Sequence, residues 1–192
     1  MCDKNMIILL RHANDNEEEA THMNDAHITK SGKRKAKKKA KYLVKKYGFP
    51  ERILCSPYVR ARETLKVFCK YLKKLDPDKY RSMEKRIDRR LSRFFTPTQQ
   101  KNPEIRDDTQ RFRPPIYEDI PKMMVRLQDH VKSCLKKGYL NNAKQNTWCI
   151  SHGLAIKKLM LSLGNHAPES VPFLEHYPLL YSNKKIIHVK DS

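Results

Sequence analysis

The chain has 192 residues, of which 39% are hydrophobic and 32% are charged, and its formal net charge at pH 7 is +20. This balance excludes a largely disordered chain, and no segment holds the roughly 20 apolar residues that a membrane-spanning helix needs. Five cysteines without a C-x-x-C spacing argue against a disulfide framework. We therefore expect one folded domain over residues 1–192, without a cleaved signal, at an intracellular and cytoplasmic location, with anionic partners.

A short apolar run comes first, and a lysine-rich segment follows it. Residues 6–10 (MIILL) are continuously apolar and predict a buried strand. Residues 31–48 place apolar residues at helical spacing, with Ser31 as the predicted N-cap and Gly48 at the end. We interpret the lysines as a solvated helix face, and the alternative is a site for nucleic acid or another polyanion on residues 33–46.

A second strand and a second helix are predicted next. Residues 53–55 (ILC) form the apolar run, and Ser56 followed by Pro57 predicts a cap and a first helical turn. Apolar residues at helical spacing extend this helix to about Leu75. Residues 85–91 (KRIDRRL) predict a third strand.

The second half of the chain continues the alternation. Residues 94–115 contain several prolines and few core-sized residues, which indicates a long surface excursion or lid. Residues 120–135 predict a helix, residues 147–151 (TWCIS) a strand, residues 152–164 a helix and residues 185–189 (KIIHV) an edge strand. Strands that alternate with helices predict an α/β sandwich with a mainly parallel sheet.

The residues at the ends of these strands suggest a phosphate site. Arg11 and His12 follow the first strand, Arg60 lies one turn into the helix after the second, and His152 begins the helix after TWCIS. Open α/β sheets bind ligands beyond the carboxyl ends of their strands, so these side chains are expected at one edge. A guanidinium group can bind two oxygens of one phosphate at the same time, and a neutral imidazole can attack phosphorus.

Three motifs resemble the signatures of a known family. LLRHA (residues 9–13), SPYVRARET (residues 56–64) and ISHG (residues 150–153) are similar, in order and rough spacing, to those of the histidine phosphatase superfamily, phosphoglycerate mutase-like branch. Residues 25–40 and 117–131 also resemble segments of that family. The resemblance covers most of residues 6–160.

The resemblance implies a fold and a chemistry. The fold is a three-layer sandwich with a central, mostly parallel sheet flanked by helices. His12 is implied as the nucleophile that forms a phosphohistidine, Arg11 and Arg60 as phosphate ligands, and His152 as the residue that completes the pocket. Water then hydrolyses the phosphohistidine, and neither a metal nor another cofactor is required.

The sequence departs from the family at two positions. Ala13 stands where the family usually has glycine, so the backbone there is expected to have a negative φ. Arg93 lies where the branch usually carries a glutamate as general acid, and loss of such an acid slows departure of a poor leaving group by about 10²–10⁴-fold. The candidates for this role in the excursion are Glu104, Asp107 and Asp108.

These observations predict a metal-independent phosphatase acting on a phosphorylated anionic substrate. One alternative is a catalytically weak or inactive protein that binds a phosphorylated partner or RNA. A second alternative is a phosphotransferase of the phosphoglycerate mutase type, although a mutase needs an acid in a closed pocket. A cysteine nucleophile at Cys55 is disfavoured, because the segment between Cys55 and Arg60 lacks the glycines of a phosphate cradle.

Overall fold

The structure, a computed structural model, describes residues 6–16, 26–92, 125–126, 128–133, 146–164, 170–182 and 185–189. The strands in this part of the chain are β1 (Met6–Arg11), β2 (Arg52–Cys55), β3 (Glu84–Ile87), β4 (Asn146–Ser151), β5 (His176–Ser182) and β6 (Lys185–His188). The helices are α1 (Lys30–Tyr47), α2 (Val59–Leu75), α3 (Pro77–Ser82) and α4 (Gly153–Ser162), with a 3₁₀ turn at Arg89–Leu91. Residues 125–126 and 128–133 are also helical.

The described strands form one sheet in the order β3-β2-β4-β1-β5-β6. The β1–β4, β2–β4 and β2–β3 pairs are parallel, whereas β5 and β6 join by antiparallel pairing. The fold is therefore α/β with a mixed, mostly parallel central sheet, as the sequence predicted. Because β1, β2 and β4 are parallel neighbours, their carboxyl ends meet at one edge of the sheet.

Both faces of the sheet are covered. Side chains alternate along β1, so Ile7 and Leu9 join a core cluster with α4, while Ile8 and Leu10 join a second cluster with α1 and α2. Burial on both faces explains why the strand sequence is continuously apolar instead of alternating. No helix in the described part of the chain is long and apolar enough to cross a membrane.

Both predicted N-caps are wrong. Helix α1 begins at Lys30, because Oγ1 of Thr29 accepts a hydrogen bond from the Gly32 amide at 2.9 Å, and Ser31 lies inside the helix. Helix α2 begins at Val59 instead of Pro57. Ser56, which was predicted to cap α2, is buried and uses its Oγ for a side-chain hydrogen bond in the candidate site. The predicted ends at Gly48 and Leu75 are confirmed.

Four of the five predicted strands are confirmed with small shifts in their ends. The strand predicted over residues 85–91 stops at Ile87, because the Asp88 side chain accepts a hydrogen bond from the Arg90 amide and begins the 3₁₀ turn. Strand β5 was not predicted, since Pro178 lies opposite Ile8 inside it and proline is unusual within a sheet. The excursion at residues 94–115 lies outside the described residues, as does half of the helix predicted over residues 120–135, whose described part is helical.

The two candidate caps of α1 predict different mutational effects. We expect Thr29→Ala to lower the free energy of unfolding by about 1 kcal/mol, because the Gly32 amide loses its acceptor. The exposed Ser31 is the matched control, and Ser31→Ala is expected to be neutral or slightly stabilising. Urea denaturation measures both, and a larger loss for Ser31→Ala would contradict the assignment of the cap.

Candidate active site

His12 follows the last residue of β1 and is buried. Its backbone amide donates to the carbonyl of Ser151 at 3.0 Å, which continues the pairing of β1 with β4 by one residue. Its Nδ1–H donates to the carbonyl of Ala13 at 3.0 Å, and this bond selects the tautomer whose lone pair is on Nε2. Nε2 in turn accepts a hydrogen bond from Nε of Arg60 at 3.2 Å. The local hydrogen bonds therefore place the lone pair of the imidazole on Nε2, next to Arg60.

Arg60 lies in the first turn of α2 and is only 1% exposed. Thr64, one turn later, donates its Oγ1 proton to the Arg60 carbonyl at 2.8 Å and accepts the Ala13 amide at 3.0 Å. Thr64 thereby connects α2 to the residues after β1, which holds Arg60 against His12. Ala13 has a negative φ, as predicted, since Leu174 is the one non-glycine residue with positive φ in the described part of the chain.

His152 supplies a second imidazole. It is the N-cap residue of α4 and is 2% exposed. Its Nε2 forms a hydrogen bond with Oγ of Ser56 at 2.8 Å, and its ring centroid lies 5.1 Å from that of His12. The ring of Tyr58 packs edge-on against His152 at 4.8 Å. The N-terminus of α4 adds a partial positive charge at this point, which favours an anion.

Arg11 passes close to the start of α4. Its Nη1 donates to the carbonyl of Val171 at 2.6 Å, and its guanidinium lies 3.7 Å from the ring centroid of Phe173. A Cβ on Gly153 would lie 3.2 Å from Cδ of Arg11, so a larger residue here would require the arginine side chain to shift by a few tenths of an ångström. Phe173 also lies 5.7 Å from the His12 ring, and it thus borders both groups.

Asp15 brings a carboxylate into the site. Its Oδ2 lies 3.4 Å from Nδ1 of His12 and 3.3 Å from Nε of Arg60, and its side chain is 2% exposed. The sequence analysis did not select this residue. Its position three residues after His12, in the loop at the end of β1, was the available signal.

A network outside the pocket fixes the loop that carries Asp15. Asp15 forms a β-bridge with Ile28, and the Ile28 amide donates to a carboxylate oxygen of Glu63 at 2.8 Å. His27 donates its amide to Oδ1 of Asn16 at 2.8 Å and forms a side-chain hydrogen bond with Glu63. Burial opposes ionisation of Glu63, but these hydrogen bonds outweigh it and hold the pKa of its carboxyl below the usual range.

The segment after β3 is anchored by the buried carboxylate of Asp88, which pairs with two partly exposed arginines. Asp88 is 5% exposed and accepts hydrogen bonds from Arg86 and Arg90. Burial opposes its ionisation, but these bonds keep the pKa of Asp88 well below its usual range. Asp88 is therefore a structural anion and a poor proton donor. Ser151 donates its Oγ proton to the Leu91 carbonyl at 2.8 Å, so this segment contacts the residue that precedes His152.

The structure brings together three of the four predicted site residues and places the fourth beside them. His12, Arg60 and His152 lie in one buried cluster, and Arg11 borders it at the start of α4. Arg93 and the candidate acids Glu104, Asp107 and Asp108 lie outside the described residues. The residues around the cluster that sequence analysis did not assign to the site are Asp15, Ser56, Tyr58, Thr64 and Phe173.

A family model for the histidine phosphatase superfamily (branch 1) matches residues 7–183. The chain belongs to this superfamily. The match spans the described sheet from β1 to β5, with the cluster of His12, Arg60 and His152 at its edge. No curated protein matches the chain in a sequence comparison.

Several solved structures share the fold of this chain. The protein histidine phosphatase SixA complexed with tungstate is 14% identical, with a TM-score of 0.65 and coverage of 96% of this chain and 94% of that one. Phosphoglycerate mutase from Bacillus anthracis is 15% identical, with a TM-score of 0.68 and coverage of 98% and 94%. The ecdysone phosphate phosphatase of the silkworm (Bombix mori) in complex with tungstate is 13% identical, with a TM-score of 0.65 and coverage of 98% and 96%. At these identities the likeness shows the fold.

His130 predicts a pH dependence of stability. Burial, with the nearby charges of Arg90 and Arg86, lowers the pKa of His130 to about 4, although Asp88 opposes the shift. Between pH 6.5 and 4 the unfolded chain therefore binds a proton that the folded protein does not. As the pH is lowered through this window, we expect the free energy of unfolding to decrease by up to about 1.4 kcal/mol per pH unit. His130→Gln should reduce the slope in urea titrations, and an unchanged slope would contradict this assignment.

Proposed function

We propose that this superfamily member is a metal-independent phosphatase that carries the phosphoryl group on Nε2 of His12. The observation that supports the proposal best is the orientation of His12. Its Nδ1–H is directed to the Ala13 carbonyl, so Nε2 carries the lone pair and is directed at Arg60, a phosphate-binding side chain. A lone pair next to a buried guanidinium suits attack on a phosphoryl group that the guanidinium holds.

In the proposed first step, the Nε2 lone pair attacks phosphorus and the bond from phosphorus to the leaving oxygen breaks. The leaving oxygen keeps the bonding pair and is protonated by an acid or by water. Arg60 must exchange Nε2 of His12 for the phosphoryl oxygens before this attack, since its Nε–H donates to the attacking nitrogen. In the second step, water attacks phosphorus, the N–P bond breaks, and inorganic phosphate and the original imidazole are formed.

Arg11, Arg60 and His152 are proposed to stabilise the charge that develops on the phosphoryl oxygens. Two buried or partly buried guanidinium groups and the N-terminus of α4 provide this field at the carboxyl ends of the central strands. The hydrogen bond between Oγ of Ser56 and Nε2 of His152 fixes the orientation of the second imidazole. These groups act on the phosphoryl group itself, so they leave the rest of the substrate unspecified.

The proposed substrates are phosphoryl compounds with good leaving groups. Asp88 is held as an anion by two arginines, and the position of the usual glutamate carries Arg93. Without a strong acid, a phosphohistidine or a pyrophosphate bond is cleaved more readily than an alkyl phosphate. Glu104, Asp107 and Asp108 remain the proposed acids for other substrates.

A reducing, cytoplasmic location is also proposed, because Cys55, Cys69 and Cys149 are thiols.

We expect His12→Ala to abolish hydrolysis of p-nitrophenyl phosphate, because the proposed mechanism forms the phosphorylated intermediate on Nε2 of His12. Turnover by the unaltered protein should persist in excess EDTA. His188→Ala is the matched control, because it also removes an imidazole. His188 lies on the edge strand β6, which β5 separates from β1, so this variant should keep the activity. Steady-state rates of the three proteins, with folding checked by circular dichroism, provide the measurement.

Three results would contradict the phosphatase proposal. Full activity of His12→Ala would exclude His12 as the nucleophile. A folded, unaltered protein that binds tungstate without any turnover would favour the alternative of an inactive phosphate-binding protein. Transfer of the phosphoryl group to a second position of a phosphorylated acceptor, faster than to water, would instead favour the mutase alternative.

We also propose that RNA binds along residues 33–46, as a polyanionic substrate or partner that extends beyond the pocket. The apolar side of α1 is buried through Ala36, Ala40 and Leu43, so its lysines cover the solvent side and no apolar face remains for insertion into a membrane. The N-cap residue of α1 contacts the loop after His12, since the Thr29 amide donates to the Asn14 carbonyl at 2.9 Å. A chain bound on α1 can thus reach the site.

The RNA proposal predicts a salt-dependent effect of lysines on α1. We expect the triple variant Lys35→Gln, Lys38→Gln and Lys41→Gln to weaken binding of a single-stranded RNA and to reduce the salt slope of log K by about 2. Fluorescence anisotropy at several salt concentrations measures this. The control with an equal change in charge is Lys70→Gln, Lys73→Gln and Lys74→Gln on α2. Equal losses in both triple variants would indicate nonspecific attraction by net charge and contradict a site on α1.

A further inference from the structure

The carboxylate of Asp15 contacts two of the proposed catalytic groups. We propose that Asp15 is a positioning residue that competes with phosphate for Arg60 and stabilises the positive charge that His12 acquires when Nε2 bonds to phosphorus. This inference rests on the proposed function of His12 as the nucleophile. Asp15 would thereby weaken binding of free phosphate and strengthen the transition state.

The carboxylate is held in place by its backbone. Its side chain is 2% exposed, and the bridge between Asp15 and Ile28 joins the loop to the segment before α1. The paired hydrogen bonds between Asn16 and His27, and the bond from the Ile28 amide to Glu63, connect this segment to α2. The backbone that presents this carboxylate to an incoming anion is therefore held in place, because the loop cannot move away from the site without breaking these bonds.

Competition for Arg60 follows from the distances. Oδ2 of Asp15 lies 3.3 Å from Nε of Arg60, and both side chains are almost completely buried. Charges interact strongly where water is excluded, so this ion pair neutralises much of the attraction that Arg60 offers to a phosphate dianion. The carboxylate also repels the dianion directly. Both effects weaken ground-state binding and favour release of the product, inorganic phosphate.

Asp15 weakens the binding of free phosphate, but it stabilises the transition state in which His12 bonds to phosphorus. When the Nε2 lone pair forms the bond to phosphorus, the imidazole keeps its Nδ1 proton and acquires a formal positive charge. Oδ2 of Asp15 lies 3.4 Å from Nδ1 and stabilises that charge. A group that interacts more strongly with the transition state than with the ground state increases kcat. Asp15 thus acts through His12 without touching the leaving group.

Asp15→Asn tests both effects, because it removes the charge and keeps the shape. We expect Asp15→Asn to bind tungstate and inorganic phosphate about tenfold more tightly by calorimetry, and to lower kcat for p-nitrophenyl phosphate by about tenfold to a hundredfold. Asp15→Glu should restore weak oxyanion binding. The matched control is Asp78→Asn, which removes the same charge from a side chain that is 85% exposed on α3. It should change neither quantity.

The outcomes separate the roles of Asp15. Unchanged or weaker oxyanion binding by Asp15→Asn, in protein with an unaltered thermal midpoint, overturns the proposal, and so does tighter binding with unchanged kcat. If Asp15→Asn does not fold, Asp15→Ser is tested for the same two effects. Failure of the proposed function is recognised separately, by His12→Ala that keeps its activity. Calorimetry with tungstate does not require turnover, so it decides the competition for Arg60 in either case.

Discussion

The hydrogen bond from Nδ1 of His12 to the Ala13 carbonyl is the interaction on which the candidate site depends. It gives Nε2 the lone pair and directs that atom to Arg60. Thr64 connects the Ala13 amide to the Arg60 carbonyl, so the proposed nucleophile, His12, and the proposed phosphate ligand, Arg60, are both connected through Ala13 and Thr64. Ala13 thus contacts both parts of the site: its carbonyl orients the His12 ring at the end of β1, and its amide is bound by Thr64 of α2.

The parallel pairing of the central strands brings these groups together. β1, β2 and β4 are parallel neighbours, so the residues that follow them lie at the same end of the sheet, although His12 and His152 are 140 positions apart in the sequence. Burial makes each polar contact there strong, and it also requires that every charge be compensated. Arg60 has Asp15 as its buried partner, and Arg11 packs on Phe173 and donates to the Val171 carbonyl.

Sequence patterns predicted the sheet edge and its residues better than the details of helix starts. Apolar runs identified β1, β2 and β4, because burial on both faces produces an unbroken pattern. Thr29 and Ser31 are both capping residues by type, and serine is the more favoured of the two, so local sequence pointed to the wrong cap. Strand β5 contains Pro178 and was missed, and Asp15 was missed because its role depends on a bridge to Ile28 that lies across the loop.

The central claim is that His12 carries the phosphoryl group, and trapping the phosphorylated protein tests it most directly. The protein would be mixed rapidly with a ³²P-labelled phosphoryl donor, quenched in alkali, which preserves phosphohistidine, and mapped by peptide mass spectrometry. The account predicts an acid-labile, alkali-stable phosphate on Nε2 of His12, formed and consumed at rates that match turnover. Stoichiometric label on any other residue, or turnover without a phosphorylated protein, would contradict it.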